Sequence, residues 1–264
     1  MQTDLGRLTG REARALIRKG YWRGPTVSLA RGWVQANLVV LPGTLAADFE
    51  RYCQLNPQAC PLLEVTAPGS PEPTRVAPGA DLRTDVPGYY VYRDGALVGE
   101  VENLLSEWRD DLVGFLLGCS FTFEAAMENA GIPMRHLEIG GTAPMYRTNR
   151  PSVPAGPFAG PLVVTMRPIP SHQVELAIEV TGRFSRAHGA PIHVGDPAEL
   201  GISDLNQPDW AAPVPLQPGD VPVFWACGVT PQAAIESARV PFMATHKPAH
   251  MFITDLRHVD LLDS

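Results

Sequence analysis

The sequence is poor in lysine. Of its 21 basic residues only Lys19 and Lys247 are lysines; the rest are arginines. Schiff-base chemistry needs an activated lysine amine. With Lys19 expected at the end of a surface helix, pyridoxal-phosphate and aldolase-type mechanisms are set aside. Cysteine is also scarce. Cys53, Cys60, Cys119 and Cys227 form no C-x-x-C pair, and a small secreted disulfide scaffold would be denser. They read as reduced thiols of a cytoplasmic protein. Met1-Gln2-Thr3-Asp4 shows no basic stretch followed by an apolar run, so no signal peptide is expected. The longest apolar stretch, near Leu112 to Leu117, is far short of the roughly 20 residues of a membrane span, so no membrane association is expected. Charged residues are only 19% of the chain and the net charge is −7. No Lys/Arg-rich run offsets that acidity, so nucleic acid is not an expected partner. P-loop, dinucleotide-fold and G-x-S-x-G motifs are missing, which removes the usual support for nucleotide, nicotinamide or serine-hydrolase readings.

What the chain does have is a 45% apolar content over 264 residues, with 27 Pro and 24 Gly. That is enough to build one large core or two small ones. The punctuation cuts it into short elements and excludes long bundles and coiled coils. Thr9-Gly10-Arg11-Glu12 is a capping box that opens a helix ending at Gly20. Val34 to Leu41 is an apolar run interrupted by Gln35 and Asn37. A helix follows Pro42-Gly43 and ends before Pro57. Residues 66 to 88 read as loop. Arg93-Asp94-Gly95 turns a hairpin between Tyr90-Val91-Tyr92 and Ala96-Leu97-Val98. The pattern predicts a helix over about Glu107 to Leu117, a halt at Gly118-Cys119-Ser120, and a further helix from about Phe123 to Gly131.

Beyond this point strands and helices alternate. Arg135 to Glu138 and Leu162 to Met166 read as strands. A helix follows, N-capped by Ser171. Ile192 to Val194 and Val221 to Ala226 read as strands, and Thr230 is expected to N-cap a helix with Pro231 at its first position. Phe242 to Thr245 and Met251 to Thr254 finish as strands. Such alternation predicts an α/β protein with a mixed sheet. No clean linker splits residues 1–264. The expected architecture is therefore two packed lobes, a larger layered α/β lobe from 1–133 plus 187–264 and a smaller α+β lobe from 134–186.

Five features carry chemistry. In Gly118-Cys119-Ser120 a thiol precedes a helix N-terminus, where the helix dipole favours thiolate; the same residues also serve as a tight apolar corner. In Cys227-Gly228-Val229-Thr230-Pro231 a strand turns into a helix whose free N–H groups suit a carboxylate; an ordinary turn reads the same way. His188, His193 and Asp196 fall within nine residues. On a strand, His193 points away from Ile192 and Val194, while Asp196 before Pro197 also reads as an N-cap. His246 and His250 have zinc-helix spacing, but Pro248 breaks the helix between them and no metal is expected. Arg135, Arg147 and Arg167, with Asn149 beside Arg147, offer bidentate contacts to a carboxylate, or surface ion pairs.

Taken together, Gly-Cys-Ser-Phe-Thr-Phe-Glu at 118–124, Met-Tyr-Arg-Thr-Asn at 145–149, and Pro-Leu-Val-Val-Thr-Met-Arg-Pro-Ile-Pro at 161–170 resemble the bacterial hydro-lyase family grouped with D-glutamate cyclase. So do His-Gly-Ala-Pro-Ile-His-Val-Gly-Asp-Pro at 188–197, Val-Phe-Trp-Ala-Cys-Gly-Val-Thr-Pro-Gln at 223–232 and the ending at 245–256. The resemblance implies a two-lobed α/β fold and a lyase that eliminates water, for example closing D-glutamate to 5-oxoproline. That reaction needs two carboxylates held, a proton taken from the ammonium and one donated to the leaving oxygen, and no metal or organic cofactor. The candidate catalytic groups are Cys119, His188, His193, Cys227 and His250. Arg147, Asn149, Arg167, Asp196 and Thr230 are the candidate substrate contacts. The expected partner is a small carboxylate-bearing molecule, and the chain is compatible with a homo-oligomer. A protein that binds such a ligand without turning it over is the alternative.

Overall fold

The run around Val34 to Leu41 forms the central strand β1 (Trp33–Pro42), whose backbone pairs on both sides. The computed structural model describes residues 4–263; Met1 to Thr3, read above for a targeting signal, lie outside the described residues. One edge of β1 pairs with β5 (Leu112–Gly118). The other edge is shared. β10 (Met243–His246) takes the end near Val39 and Val40, and β11 (Phe252–Arg257) takes the end from Trp33 to Ala36. β2 (Leu62–Val65) and the hairpin β3 (Tyr89–Arg93) and β4 (Ala96–Val101) complete a seven-stranded sheet. Asp94 and Gly95 both take positive φ, as the tight hairpin turn requires.

A second sheet holds four strands: β6 (Met145–Pro151), β7 (Pro161–Pro170), β8 (His193–Val194) and β9 (Asp220–Ala226), in the order β6-β7-β9-β8. It draws two of its strands, β8 and β9, from beyond residue 187. The α/β class holds. In place of a mixed sheet, every strand pair among the described residues is antiparallel.

Both faces of the large sheet are covered. On one face Val34, Ala36, Leu38, Val40 and Leu116 join Val223 and Trp225 of the second sheet and Phe123 and Met127 of helix α3 (Phe121–Asn129). On the other, Val39, Leu41, Phe115 and Leu117 pack under α2 (Gly43–Leu55) and α6 (Thr230–Ala238). This double burial corrects the helix expected over Glu107 to Leu117. Every residue of β5 is buried, and an apolar run with two buried faces shows no alternation to distinguish it from a buried helix.

Arg135 to Glu138 is also corrected, from strand to the one-turn helix α4 (Arg135–Glu138). The turn buries His136 and leaves Leu137 packed against the core. The capping box at Thr9 and Glu12 forms on α1 (Gly10–Arg18) as read. Residues 171–173 form a short 3-10 turn leading into α5 (Val174–Gly182). No helix among the described residues is long and apolar enough to cross a membrane.

Candidate functional site

The two Gly–Cys turns meet at the seam between the sheets. β5 ends at Gly118 and runs through Cys119 and Ser120 into α3; β9 ends at Ala226 and runs through Cys227 and Gly228 into α6. Asn37 of β1 is buried between them. Its Nδ2 donates to the Gly118 carbonyl at 3.0 Å, and a Cβ on Gly228 would lie 2.4 Å from that same nitrogen. Gly118 is equally tight, for a Cβ there would meet the Arg186 carbonyl oxygen at 2.0 Å. Glycine is required at both places by close approach, because φ is ordinary at each.

Arg167 of β7 forms the floor of the seam. It is 1% exposed, and its guanidinium donates to Thr165 Oγ1 at 3.0 Å, to Ser120 Oγ at 2.9 Å and to the Glu124 carboxylate. Phe123 and Trp225 flank it, their ring centres 5.2 and 5.4 Å from Cζ. The His136 ring approaches Glu124 to 3.3 Å. Neither ring nitrogen of His136, nor Arg167 Nε, completes a hydrogen bond among the described residues. Burial would raise the Glu124 pKa, but the Arg167 charge and His136 overcome it and hold the carboxyl at about 2.

On the thiols burial prevails over its opponents, a backbone N–H at the head of each following helix and the Arg167 charge. Cys119, partly exposed beside α3, is pushed up to about 12, with Cys227 and Glu124 adding to the effect. Buried Cys227 is pushed up to about 11. The expected thiolate at the helix N-terminus is thereby corrected. Desolvation exceeds the helix dipole, and both cysteines are neutral thiols at neutral pH. His188, with φ +78°, lies beside Gly118 and points Nδ1 at the Gln58 carbonyl, 2.8 Å away. Burial, aided by the Arg167 charge, lowers its pKa to about 4, so its imidazole is neutral.

The other sequence candidates sit elsewhere. His193 packs against Phe224 with ring centres 5.7 Å apart and reaches the Asp196 carbonyl, while its neighbour Val194 is exposed. Asp196 accepts from Ala198 N and caps a 3-10 turn. Arg147 is exposed, engaged by Asp209 and stacked 4.6 Å over Trp210. Asn149 is exposed beside Gly201, and Arg135 bridges Asp220 and Glu138. Thr230 is the first residue of α6, after Val229 as N-cap, so it does not cap its helix as expected. Its buried hydroxyl instead accepts from Val163 N–H at 3.0 Å and pins α6 to β7.

His250 is buried in the loop between β10 and β11, with Nδ1 2.7 Å from the Pro248 carbonyl. At the start of that loop His246 fills a gap in the ladder. Leu38 N–H has no strand partner between the two strands and donates to His246 Nδ1 at 3.1 Å. That bond requires an unprotonated Nδ1. Burial agrees, lowering the His246 pKa to about 4.

A cavity of about 360 Å³ opens against this seam. Gln35 and Glu124 are in its wall together with Trp33, Phe121, Glu128 and His258, and Arg31 stands at its exposed side. Gln35 shares a strand face with Asn37, and its amide is fastened to Thr26 in both directions, at 2.7 and 2.8 Å. Among the described residues no group of three or more His, Cys, Asp or Glu is placed to hold a metal ion. Sequence reasoning missed Glu124, His136, His258 and Arg31. It noted Gln35 and Asn37 as interruptions of an apolar run without giving them a role; two polar residues at alternate positions of a buried strand were the available signal.

Comparison with known proteins supplies a lineage. A family model described as D-glutamate cyclase matches residues 113–255. A "Putative hydro-lyase" of Geobacillus kaustophilus is 55% identical over 96% of this chain and 97% of its own length. Another from Rubrobacter xylanophilus is 57% identical over 94% of this chain and 96% of its own. A nitrogen repressor-like protein of Methanococcus jannaschii, a solved structure, aligns over 97% of this chain and 98% of that one at 10% identity, with a TM-score of 0.41 that is too low to bear on fold or function. From the match across its core and the identity along nearly its whole length, the chain belongs to the D-glutamate cyclase family, together with bacterial proteins named as hydro-lyases.

Proposed function

We propose that this protein is a hydro-lyase that eliminates water from a small carboxylate-bearing substrate, with the closure of D-glutamate to 5-oxo-D-proline as the specific reaction. The observation that carries this reading is the near full-length identity to relatives bearing the hydro-lyase name. In the cyclisation the amine nitrogen bonds to the side-chain carboxyl carbon and a C–O bond breaks. Two protons leave the ammonium nitrogen as it becomes the lactam N–H, and two protons reach the departing oxygen, which leaves as water.

Cys119, a neutral thiol at the seam, is a proton donor for that oxygen, with Cys227 behind it. His258 is the proton acceptor in the cavity wall. Burial lowers its pKa, so it is neutral, and an Nε2–H directed at the Trp33 carbonyl 3.1 Å away leaves the Nδ1 lone pair open. Arg167, with its charge already met by Glu124, positions the α3 turn and does not itself grip the substrate. His188 and His250 are placed as supports of the turns around the site, and His193 and Asp196 as supports of the second sheet's outer face.

The test is incubation of purified protein with D-glutamate and chromatography of 5-oxoproline. Product formed by the protein, and reduced by His258→Gln and Cys119→Ala in folded variants, supports the reading. Thermal stabilisation by D-glutamate without product overturns it in favour of a ligand-binding protein.

A further inference from the structure

Cys53 and Cys60 take no part in the proposed reaction, and the fold brings them together. Cys53 lies in the last turns of α2. The chain then reverses: the Asn56 carbonyl accepts from Ala59 N–H at 3.1 Å and from Cys60 N–H at 2.8 Å. That reversal returns Cys60 to the helix end, and both residues join one apolar cluster. They also share the wall of a second cavity, of about 290 Å³. Gln54, Pro57, Ser185 and Arg186 form its exposed rim. Arg186 is the charged residue among those of the described residues that line it. Cysteines on an open cavity beside a cation are placed to react, whereas cysteines packed in a closed apolar core are inert.

The pair is asymmetric. Burial and a hydrogen bond with Cys53 push the Cys60 thiol up, so Cys60 keeps its proton and the Cys53 sulfur accepts the bond. Both residues are free thiols. The turn they bracket supports the seam. The Gln58 carbonyl lies 2.8 Å from His188 Nδ1, and the Pro61 carbonyl accepts from Gly118 N–H at 2.8 Å. The Asn56 side chain holds both the N–H and the carbonyl of Val153, each at 2.8 Å.

We infer that Cys53 and Cys60 are a redox modification site: a small hydroperoxide entering the cavity oxidises Cys53, Cys60 closes the pair to a disulfide, and the closure displaces the turn that supports the seam. In the first step Cys53 gives its proton to solvent and its sulfur attacks the O–O bond. One oxygen stays on sulfur as the sulfenic acid; the other leaves as hydroxide and takes up a proton to become water. In the second step the Cys60 sulfur attacks the Cys53 sulfur. The S–S bond forms, the S–O bond breaks, and the hydroxyl leaves with the Cys60 proton as a second water. The two thiols lose two electrons and the peroxide gains them. The new bond draws the sulfurs from hydrogen-bond contact to about 2.05 Å, and Pro61 moves with Cys60. The site does not rest on the hydro-lyase reading.

The experiment treats the whole protein with a small excess of hydrogen peroxide, blocks the remaining thiols by alkylation in denaturant and maps the peptides by mass spectrometry. The expected product is a Cys53–Cys60 cross-link, reversed by dithiothreitol and formed while Cys119 and Cys227 are still recovered as alkylated thiols. Arg186→Ala, at an exposed side chain, should slow its formation about 2- to 5-fold, the effect of one partly exposed charge. Cys60→Ala should stop at a Cys53 sulfenic acid, captured by dimedone, and Cys53→Ala should leave Cys60 unoxidised. A thermal scan shows whether these two buried substitutions fold; the wild-type map and Arg186→Ala do not depend on them. The seam is read by the rate of Cys119 alkylation in the folded protein, which should differ between the oxidised and re-reduced forms. Oxidation that begins at Cys119 or Cys227, that stops at a Cys53 sulfinic acid with Cys60 in place, or that closes the pair and leaves the Cys119 rate unchanged overturns the inference.

Discussion

Replacing Arg167 with methionine keeps much of the buried volume but removes the charge that stabilises Glu124. In the native protein Glu124 sits at about 2 against an ordinary 4.5. A depressed carboxyl pKa contributes stability that is present above pH 4.5 and lost as pH falls through 2, here on the order of 3 kcal/mol. In Arg167→Met, burial is opposed by His136 alone, and the Glu124 pKa is expected to rise above 4.5. The sign then reverses: the fold favours the protonated acid, so the contribution is present at low pH and lost as pH rises. Breaking a buried ion pair by removing one partner costs about 3–5 kcal/mol. For a chain of this size that is a fall in Tm of roughly 6–20 °C near neutral pH.

The assay is urea and thermal unfolding at pH 4, 6 and 8. Trp225 is a suitable fluorescence reporter, being fully buried and 5.4 Å from the lost guanidinium. The gap between wild type and variant should widen with pH. The double variant Arg167→Met/Glu124→Gln should recover most of the loss at pH 8, because no uncompensated buried charge remains. A gap that is the same at every pH, or a double variant no more stable than the single one, would refute the reasoning.

Three further outcomes follow from the same seam. Gly228→Ala should cost about 1–3 kcal/mol in urea unfolding, because its Cβ displaces the Asn37 amide and leaves the Gly118 carbonyl unsatisfied; Gly118→Ala should be worse, since its Cβ meets the Arg186 backbone and no side chain can give way. His188 and His246 are both held at about 4 against 6.5, so the unfolded chain binds up to two more protons between those pH values; stability should be full above pH 6.5 and fall as pH drops toward 4, and His246→Gln should flatten that slope in pH-dependent denaturation. Alkylation of Cys119 by iodoacetamide should be slow at pH 8 and still accelerating at pH 10, since the thiol is pushed up to about 12; a rate that levels off below pH 8 would indicate a thiolate instead.

Much of the fold was legible because its punctuation is local. The capping box at Thr9, the Asp94-Gly95 hairpin and the helix after Pro42-Gly43 are each specified by a few adjacent residues, and each forms where it was read. β5 was illegible for the opposite reason. Its identity depends on α2, α6 and the second sheet covering both its faces, and no window of the sequence contains that fact. The site divides in the same way. Cys119 was recognisable as a residue before a helix N-terminus, though between two expected helices, and Cys227 as one at a strand-to-helix turn, but their ionisation is set by neighbours far away in the chain, and for Cys119 burial reversed the inference drawn from the helix dipole alone. Glu124 looked like one more helix residue until β7 placed Arg167 against it, 43 positions away.

Gln35 and Asn37 show how the hidden part becomes readable. Burying a polar side chain on a central strand is unfavourable unless its hydrogen bonds are met, so each such residue implies a partner that must be near it. Asn37 finds the Gly118 carbonyl and fills the space that Gly228 leaves open. Gln35 finds Thr26 and fixes the segment that walls the cavity. The two face the same side of β1 with Ala36 between them in the core of the other face. One strand therefore sets both the seam, where the thiols converge, and the cavity beside it. Losing either amide should loosen a different half of the site: Asn37→Ala the turn at Cys227, and Gln35→Ala the rim at Thr26.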